Sequence, residues 1–568
     1  MSRGGFWRRL AAWAFASKKE LVVGLALVAT LAGPFLLSSE KGDGASAGDY
    51  DRRLVIVSPH HESIREEFGR AFAIFWQAKT GERVFVDWRV PGGTSEIARL
   101  LKSEYLAAFQ RHWMEVLGEP WSQRVASGVL DSKLKEPAEG EVAMEEHRAR
   151  RAFLESEVGV GIDLVFGGGA YDFEIQSAIG MLVSGDADKG LGLAGLMKTH
   201  PDWFSDSGIP LSVGGEPYRD ATGRWCGTCL SSFGIVFNRD VLKRLGIEDE
   251  PTQWRDLADP RLFGQVALAD PGRSGSVTKA FEMLLQQEMG RWVAAMMEAP
   301  GNVPEDRREF EGLRRGWAEG MRLIQKISAN ARYFTDSSSK IPLEVARGDA
   351  AAGMCIDFYG RTVQEQFRDA DGRSRVGFVT PEGGTSIGAD SVALLRGAPD
   401  PELATAFMEF VLSEGQRLWD FRVGEPGGPT KHALRRLPVR RDFYTDENRA
   451  RMSDGDEQPY ELAERFTYHP EWTAGAFNAI RFILRVMCVD THDELKAAWK
   501  EMMQHDCPPR ALEAFEEMNA VRYDTALGSI GRVLRERDRV KETRLARQLS
   551  DGFRSQYGLV RRLSKTGR

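Results

Sequence analysis

Cysteine is scarce in this sequence, with five thiols (Cys226, Cys229, Cys355, Cys488 and Cys507) among 568 residues. That is too few for a disulfide scaffold, and the odd number leaves at least one thiol unpaired within a monomer. Histidine is also sparse, at nine residues, and apart from His60-His61 none is spaced for metal ligation. The sequence has neither G-x-S-x-G nor H-E-x-x-H, so nothing points to a hydrolase nucleophile or a zinc peptidase. Asp163, Asp172 and Glu174 lie near one another in sequence, but carboxylates alone are weak evidence of acid–base chemistry. Basic charge is not in excess either: the net charge is −7 and the pI about 5.9. A nucleic-acid partner therefore has no electrostatic support.

What the chain has is length, ordinary globular composition and one apolar run near its start. With 42% hydrophobic and 28% charged residues, 568 residues exceed what one core usually supports, so two or three domains are expected. Arg3, Arg8, Arg9, Lys18 and Lys19 precede the apolar run 21–37, LVVGLALVATLAGPFLL. A basic flank followed by an apolar run is an export signal that leaves the basic side in the cytoplasm. At 17 residues the run is near the lower limit for spanning a bilayer, and no clear small-residue cleavage site follows. An uncleaved anchor is expected over a cleaved signal peptide, with a cytoplasmic segment 1–20 and a flexible linker 38–50 on either side.

The body opens with a strand-loop-helix rhythm. Residues 53–58, RLVIVS, read as a buried parallel strand. It breaks at Pro59-His60-His61-Glu62 before a helix over 64–79 that sets Phe68, Phe72 and Phe75 on one face. A second strand over 83–89 leads through Gly92-Gly93-Thr94-Ser95 into another helix. This alternation is that of a parallel α/β sheet with ligand loops at the strand ends. The stretch 225–239, WCGTCLSSFGIVFNR, turns through Gly227-Thr228 into the apolar segment 233–237. It reads as a hinge strand passing from one α/β unit to the next.

These motifs, in order, resemble the extracellular solute-binding proteins of ATP-driven importers, in the branch that includes the ferric-ion-binding and polyamine-binding proteins. The match runs through Ser58-Pro59-His60-His61, the Gly-Gly-Thr turn, GIDLVFGGGAYDF (161–173), and the hinge strand. It continues through WRDLADPRLFGQVALADPGRSGS (254–276), VARGDAAAGMCIDFY (345–359) and the return segment 383–419. Single motifs are weak; the ordered series, covering about residues 52–440, is specific.

The resemblance implies an α/β, type II periplasmic-binding-protein fold. Lobe one is expected over 51–230 and 383–440, lobe two over 231–382, and a helical extension over 441–568. A helix-prone charged insertion over 105–158 departs from the family and reads as a solvated excursion. The basic tail 544–568 reads as solvated surface helix or as a lipid-docking face.

The resemblance also implies where a solute sits. His61 falls on the family's metal histidine and Tyr359 on its second tyrosine, whereas Phe358 replaces the first. With Asp357 adjacent, a site of His61, Asp357 and Tyr359 for iron(III) or another metal with a synergistic anion is one expectation. In the other, the histidines cap a helix and Tyr359 packs at the cleft edge.

Loops at strand ends offer a separate anion site. Its members are Ser58, His60, Gly93, Thr94, Gly168, Gly169, Thr228, Ser274, Gly275 and Ser276, with Arg273 and Arg361 adding charge. Cys226 and Cys229 allow either a local disulfide or two buried thiols; Cys488 and Cys507 allow a second bridge, and Cys355 reads as a buried thiol.

The expected function is non-enzymatic: a periplasmic solute-binding protein closing by hinge motion around its ligand, with importer membrane subunits as partners and no obligatory cofactor. Alternatives are a binder of an organic phosphate or polyamine, and a membrane-anchored sensor or scaffold.

Overall fold

The computed structural model describes residues 50–134, 144–299, 301–536 and 538–566, without the side chain of residue 474. The expected membrane anchor lies outside these residues. Among those described, no helix is long and apolar enough to cross a membrane. Among the described residues, 50–53 with Trp76–Phe85 form one unit, and Leu54–Phe75 with those from Val86 onward form another. In the first, Tyr50 stacks on Phe85 at 5.4 Å, Asp51 accepts the Arg83 backbone N–H at 2.8 Å, and Arg52 lies over Trp76.

Among the described residues, fourteen strands run in chain order: β1 (Arg52–Val57), β2 (Val84–Arg89), β3 (Leu164–Gly169), β4 (Leu182–Val183), β5 (Ser212–Val213), β6 (Glu216–Pro217), β7 (Cys226–Ser231), β8 (Phe233–Asn238), β9 (Val266–Ala269), β10 (Ala331–Thr335), β11 (Ala352–Ile356), β12 (Val376–Val379), β13 (Gly388–Leu395) and β14 (Leu437–Pro438). They form a sheet of order β14-β7-β13-β3-β1-β2 with β4 on β13, a second of order β10-β9-β11-β8-β12, and a β5–β6 ribbon.

The two sheets share one plan. In the first, β1 and β3 pair in parallel and β13 joins β3 antiparallel. In the second, β9 pairs in parallel with β10 and β11, and β8 joins β11 antiparallel. Each sheet thus receives one reversed strand from a chain crossing over from the other half. That exchange defines the type II periplasmic-binding-protein fold.

The crossing differs in detail from the sequence expectation. Residues 226–231 form a strand rather than a turn, because Gly227 and Thr228 lie between β13 and β14 and are fully buried. The break between sheets falls at Ser232.

The insertion is helical, with helices Gln123–Val129 and Glu145–Glu155, but it is not merely solvated. Trp113, Val125, Val129, Ala149 and Phe153 join the core of the first lobe. The C-terminal residues are as deeply integrated. Trp499, Phe515, Phe553 and Tyr557 share one apolar cluster with the second sheet, and Trp317 donates to the Val521 carbonyl at 2.8 Å. Helices Gly275–Glu298 and Glu305–Ala329 pack closely in the same lobe. A Cβ at Gly316 would lie 2.3 Å from the Met289 Cα, so only glycine permits this approach.

Candidate functional site

Strand ends and helix starts of the first lobe place the predicted loops together. Gly168, at φ +115°, brings its backbone so near Thr94 that a Cβ would lie 2.9 Å from the Thr94 methyl. The Asp172 carboxyl hydrogen-bonds Thr94; its pKa is raised because burial outweighs that bond. Gly93 and Gly169 precede the helices Thr94–Arg111 and Ala170–Ala178 in extended backbone. Ser58 is buried and accepts the His60 N–H at 3.1 Å. A Cβ on Gly167 would collide with the His60 ring at 2.6 Å.

His60 is buried edge-on to Phe166, with Nε2 3.5 Å from the Asp390 carboxylate. Burial lowers its pKa, which favours the neutral ring. Asp390 also takes the Arg436 guanidinium, which sits 4.1 Å from the Phe358 ring centroid. Burial would raise Asp390, but Arg436 and His60 outweigh it and hold the carboxyl well below the usual range. Arg436 thereby links Asp390 of β13 to Phe358 of the second lobe.

Other members of the expected sites are already engaged. His61 is exposed, with Nδ1 3.0 Å from the Ser63 hydroxyl at the start of helix Glu62–Thr80. Asp357 is buried; its oxygens accept the Phe358 N–H at 2.8 Å and the Arg361 guanidinium at 3.0 Å. Arg361 in turn reaches Asp454 at 3.2 Å, so its charge is spoken for. Tyr359 is half-buried against Phe358, and burial raises its phenol pKa.

Among the described residues, no group of three or more His, Cys, Asp or Glu side chains is arranged for a metal ion. Ser274 caps helix Gly275–Glu298 by accepting the Val277 N–H, with Gly275 and Ser276 in the first turn. The Thr228 hydroxyl donates to the Asp390 carbonyl at 3.0 Å, a strand-to-strand bond.

The cysteines correct the disulfide expectation. All five are free, and burial pushes the Cys226 and Cys229 thiols up to about 12. An extended strand carries residues three apart through roughly 10 Å, beyond the reach of a disulfide. Cys355 is a buried thiol, as expected, and Cys488 and Cys507 are likewise unbridged.

Sequence reasoning missed Asp390 and Arg436. A lone carboxylate in the apolar strand GADSVALL was a signal, since a buried charge needs a partner. Arg435-Arg436 gave none, because RRLPVRR reads as solvated charge.

This arrangement sets two α/β lobes that exchange strands beside polar loops. Residues 207–420 match the family model of bacterial extracellular solute-binding proteins. A curated relative, an uncharacterised protein of Haemophilus influenzae, is 28% identical over 190 residues, 33% of this chain. The match spans 45% of that relative's length.

Similar solved structures include iron-bound HitA of Pseudomonas aeruginosa (14% identity, 76% of this chain and 98% of that one, TM-score 0.43). Another is the periplasmic binding protein AfuA of Actinobacillus pleuropneumoniae with fructose-6-phosphate bound (16%, 73% and 95%, 0.41). A third is the spermidine/putrescine ABC transporter substrate-binding protein PotD of Streptococcus pneumoniae (11%, 76% and 100%, 0.41).

Proposed function

We propose that this chain is the extracytoplasmic solute-binding component of an ABC-type importer, and that its solute lies between the lobes beside Thr94, Gly168 and Tyr359. The observation that carries the reading is the reciprocal strand exchange, β8 into the second sheet and β13 into the first. Two chain crossings between the sheets form a hinge, and a solute touching both lobes shifts the population toward the closed form. Membrane subunits of the importer then read the closed surface.

Iron(III) remains a testable cargo, but Asp357 would have to leave Arg361, and His61 would have to leave Ser63, to take it. A small polar solute held by the glycine and hydroxyl loops makes no such demand. The test is a thermal-shift comparison of ferric ion with phosphate, fructose-6-phosphate and spermidine. A probe at ~100 times its Kd stabilises by about 2.7 kcal/mol, which moves the melting temperature measurably. A shift with one probe class identifies the solute chemistry. No shift with any of the three would sink the reading in favour of a scaffold or sensor.

A further inference from the structure

A half-buried lysine sits where the lobes meet, outside the site described above. Lys279, in the first turns of helix Gly275–Glu298, points its ammonium at two buried carboxylates and an aromatic face. Nζ lies 2.9 Å from Glu216 Oε1, 3.2 Å from Glu282 Oε2 and 3.6 Å from the Tyr468 ring centroid. Tetrahedral N–H donors on two carboxylates, with a ring face beside them, is the chemistry that recognises a primary ammonium.

Three separate parts of the chain build this cage. Glu216 comes from the β5–β6 ribbon before β7, Glu282 from the second-lobe helix, and Tyr468 from the C-terminal region. The carboxylates are oriented without help from the lysine. Ser386 donates to Glu216 at 2.6 Å, while Tyr468 and Thr473 donate to Glu282 at 3.1 and 2.6 Å. Two carboxylates against one ammonium leave the cage negative. Without the ammonium, two buried charges would face each other unpaired.

We propose that Glu216, Glu282 and Tyr468 form a binding site for a primary ammonium group, filled by the chain's own Lys279 as an internal ligand that fastens the lobes together. This stands apart from the identity of the transported solute. Its consequence is that the site accepts a free primary amine once the lysine side chain is removed.

The test is Lys279→Ala in the full chain, with propylammonium replacing the deleted atoms. The variant should melt about 5 °C below the parent. About 50 mM propylammonium should recover at least half of that loss, by binding the folded form alone. Tetramethylammonium, which has no N–H, and sodium chloride at equal ionic strength should recover none.

A folded variant that propylammonium does not stabilise beyond these controls overturns the proposal. If Lys279→Ala fails to accumulate as folded protein, the comparison moves to refolding yield. A yield raised by propylammonium over both controls supports the site, and an unchanged yield overturns it.

Discussion

Replacing Asp390 by asparagine removes the only anion that the structure sets against both Arg436 and His60 among the described residues. The side chains of Arg436 and Asp390 are 9% and 23% exposed, which decides the energetic regime. An exposed pair is worth about 0–1 kcal/mol, whereas breaking a buried one costs about 3–5 kcal/mol because a charge is left uncompensated.

Some solvent reaches Asp390, so the lower end applies, and Asp390→Asn should lose about 3 kcal/mol. Asn keeps the shape and one acceptor, so the loss reports charge rather than a cavity. Urea unfolding at pH 7, followed by tryptophan fluorescence, reads this as a lower midpoint with unchanged slope. The double variant Asp390→Asn/Arg436→Met should be more stable than Asp390→Asn alone, because the orphan charge is gone as well.

The pH dependence has a definite sign. Asp390 is depressed in the folded state, so its contribution is complete above the ordinary carboxylate range. It is lost only as pH falls below about 4 toward the folded value. A single variant within 1 kcal/mol of the parent, or a double variant less stable than the single, would refute the reasoning.

Three further outcomes follow from the same geometry. Buried Glu67 is held at about 2, burial being outweighed by the backbone N–H groups of Thr430, Lys431 and His432 and by Arg70. Its depressed value contributes stability above pH ~4.5 that is lost on acidification toward 2; acid titration of Glu67→Gln against the parent should therefore show a smaller drop over that window. Cys226 and Cys229 should resist iodoacetamide in the native state and react only on unfolding, with an intact mass that reduction does not change; rapid native alkylation or a two-dalton gain on reduction would contradict this. Gly316→Ala should destabilise by at least about 1–3 kcal/mol, because the new methyl meets Met289 backbone rather than a movable side chain, and a neutral result by calorimetry would show that the two helices separate easily.

The fold was largely legible because strand ends in this architecture carry short, apolar, β-branched runs broken by glycine or serine, as in RLVIVS and IDLVFGGG. The exception, 226–231, shows the limit. Gly227 and Thr228 have turn-forming chemistry, and only the flanking strands from residues 388–395 and 437–438 make that stretch a buried strand.

Amphipathic spacing announced the C-terminal helices but not what they cover. Tyr557, whose hydroxyl accepts from the Gln325 amide at 3.2 Å in helix Glu305–Ala329 of the second lobe, makes a contact no local pattern encodes. The site was less legible for the same reason. Glycine turns were found from sequence, but Asp390 meets Arg436, and Lys279 meets Glu216, across 46 and 63 residues of chain.

The central claim is that the lobes close on a solute. Small-angle X-ray scattering of the full chain, with and without whichever probe raises the melting temperature, tests it most directly. The account predicts a smaller radius of gyration with the probe bound, as the lobes swing together about Ser232 and the strand returning at β13. An unchanged radius at saturating probe would contradict it, leaving a rigid binder with no hinge.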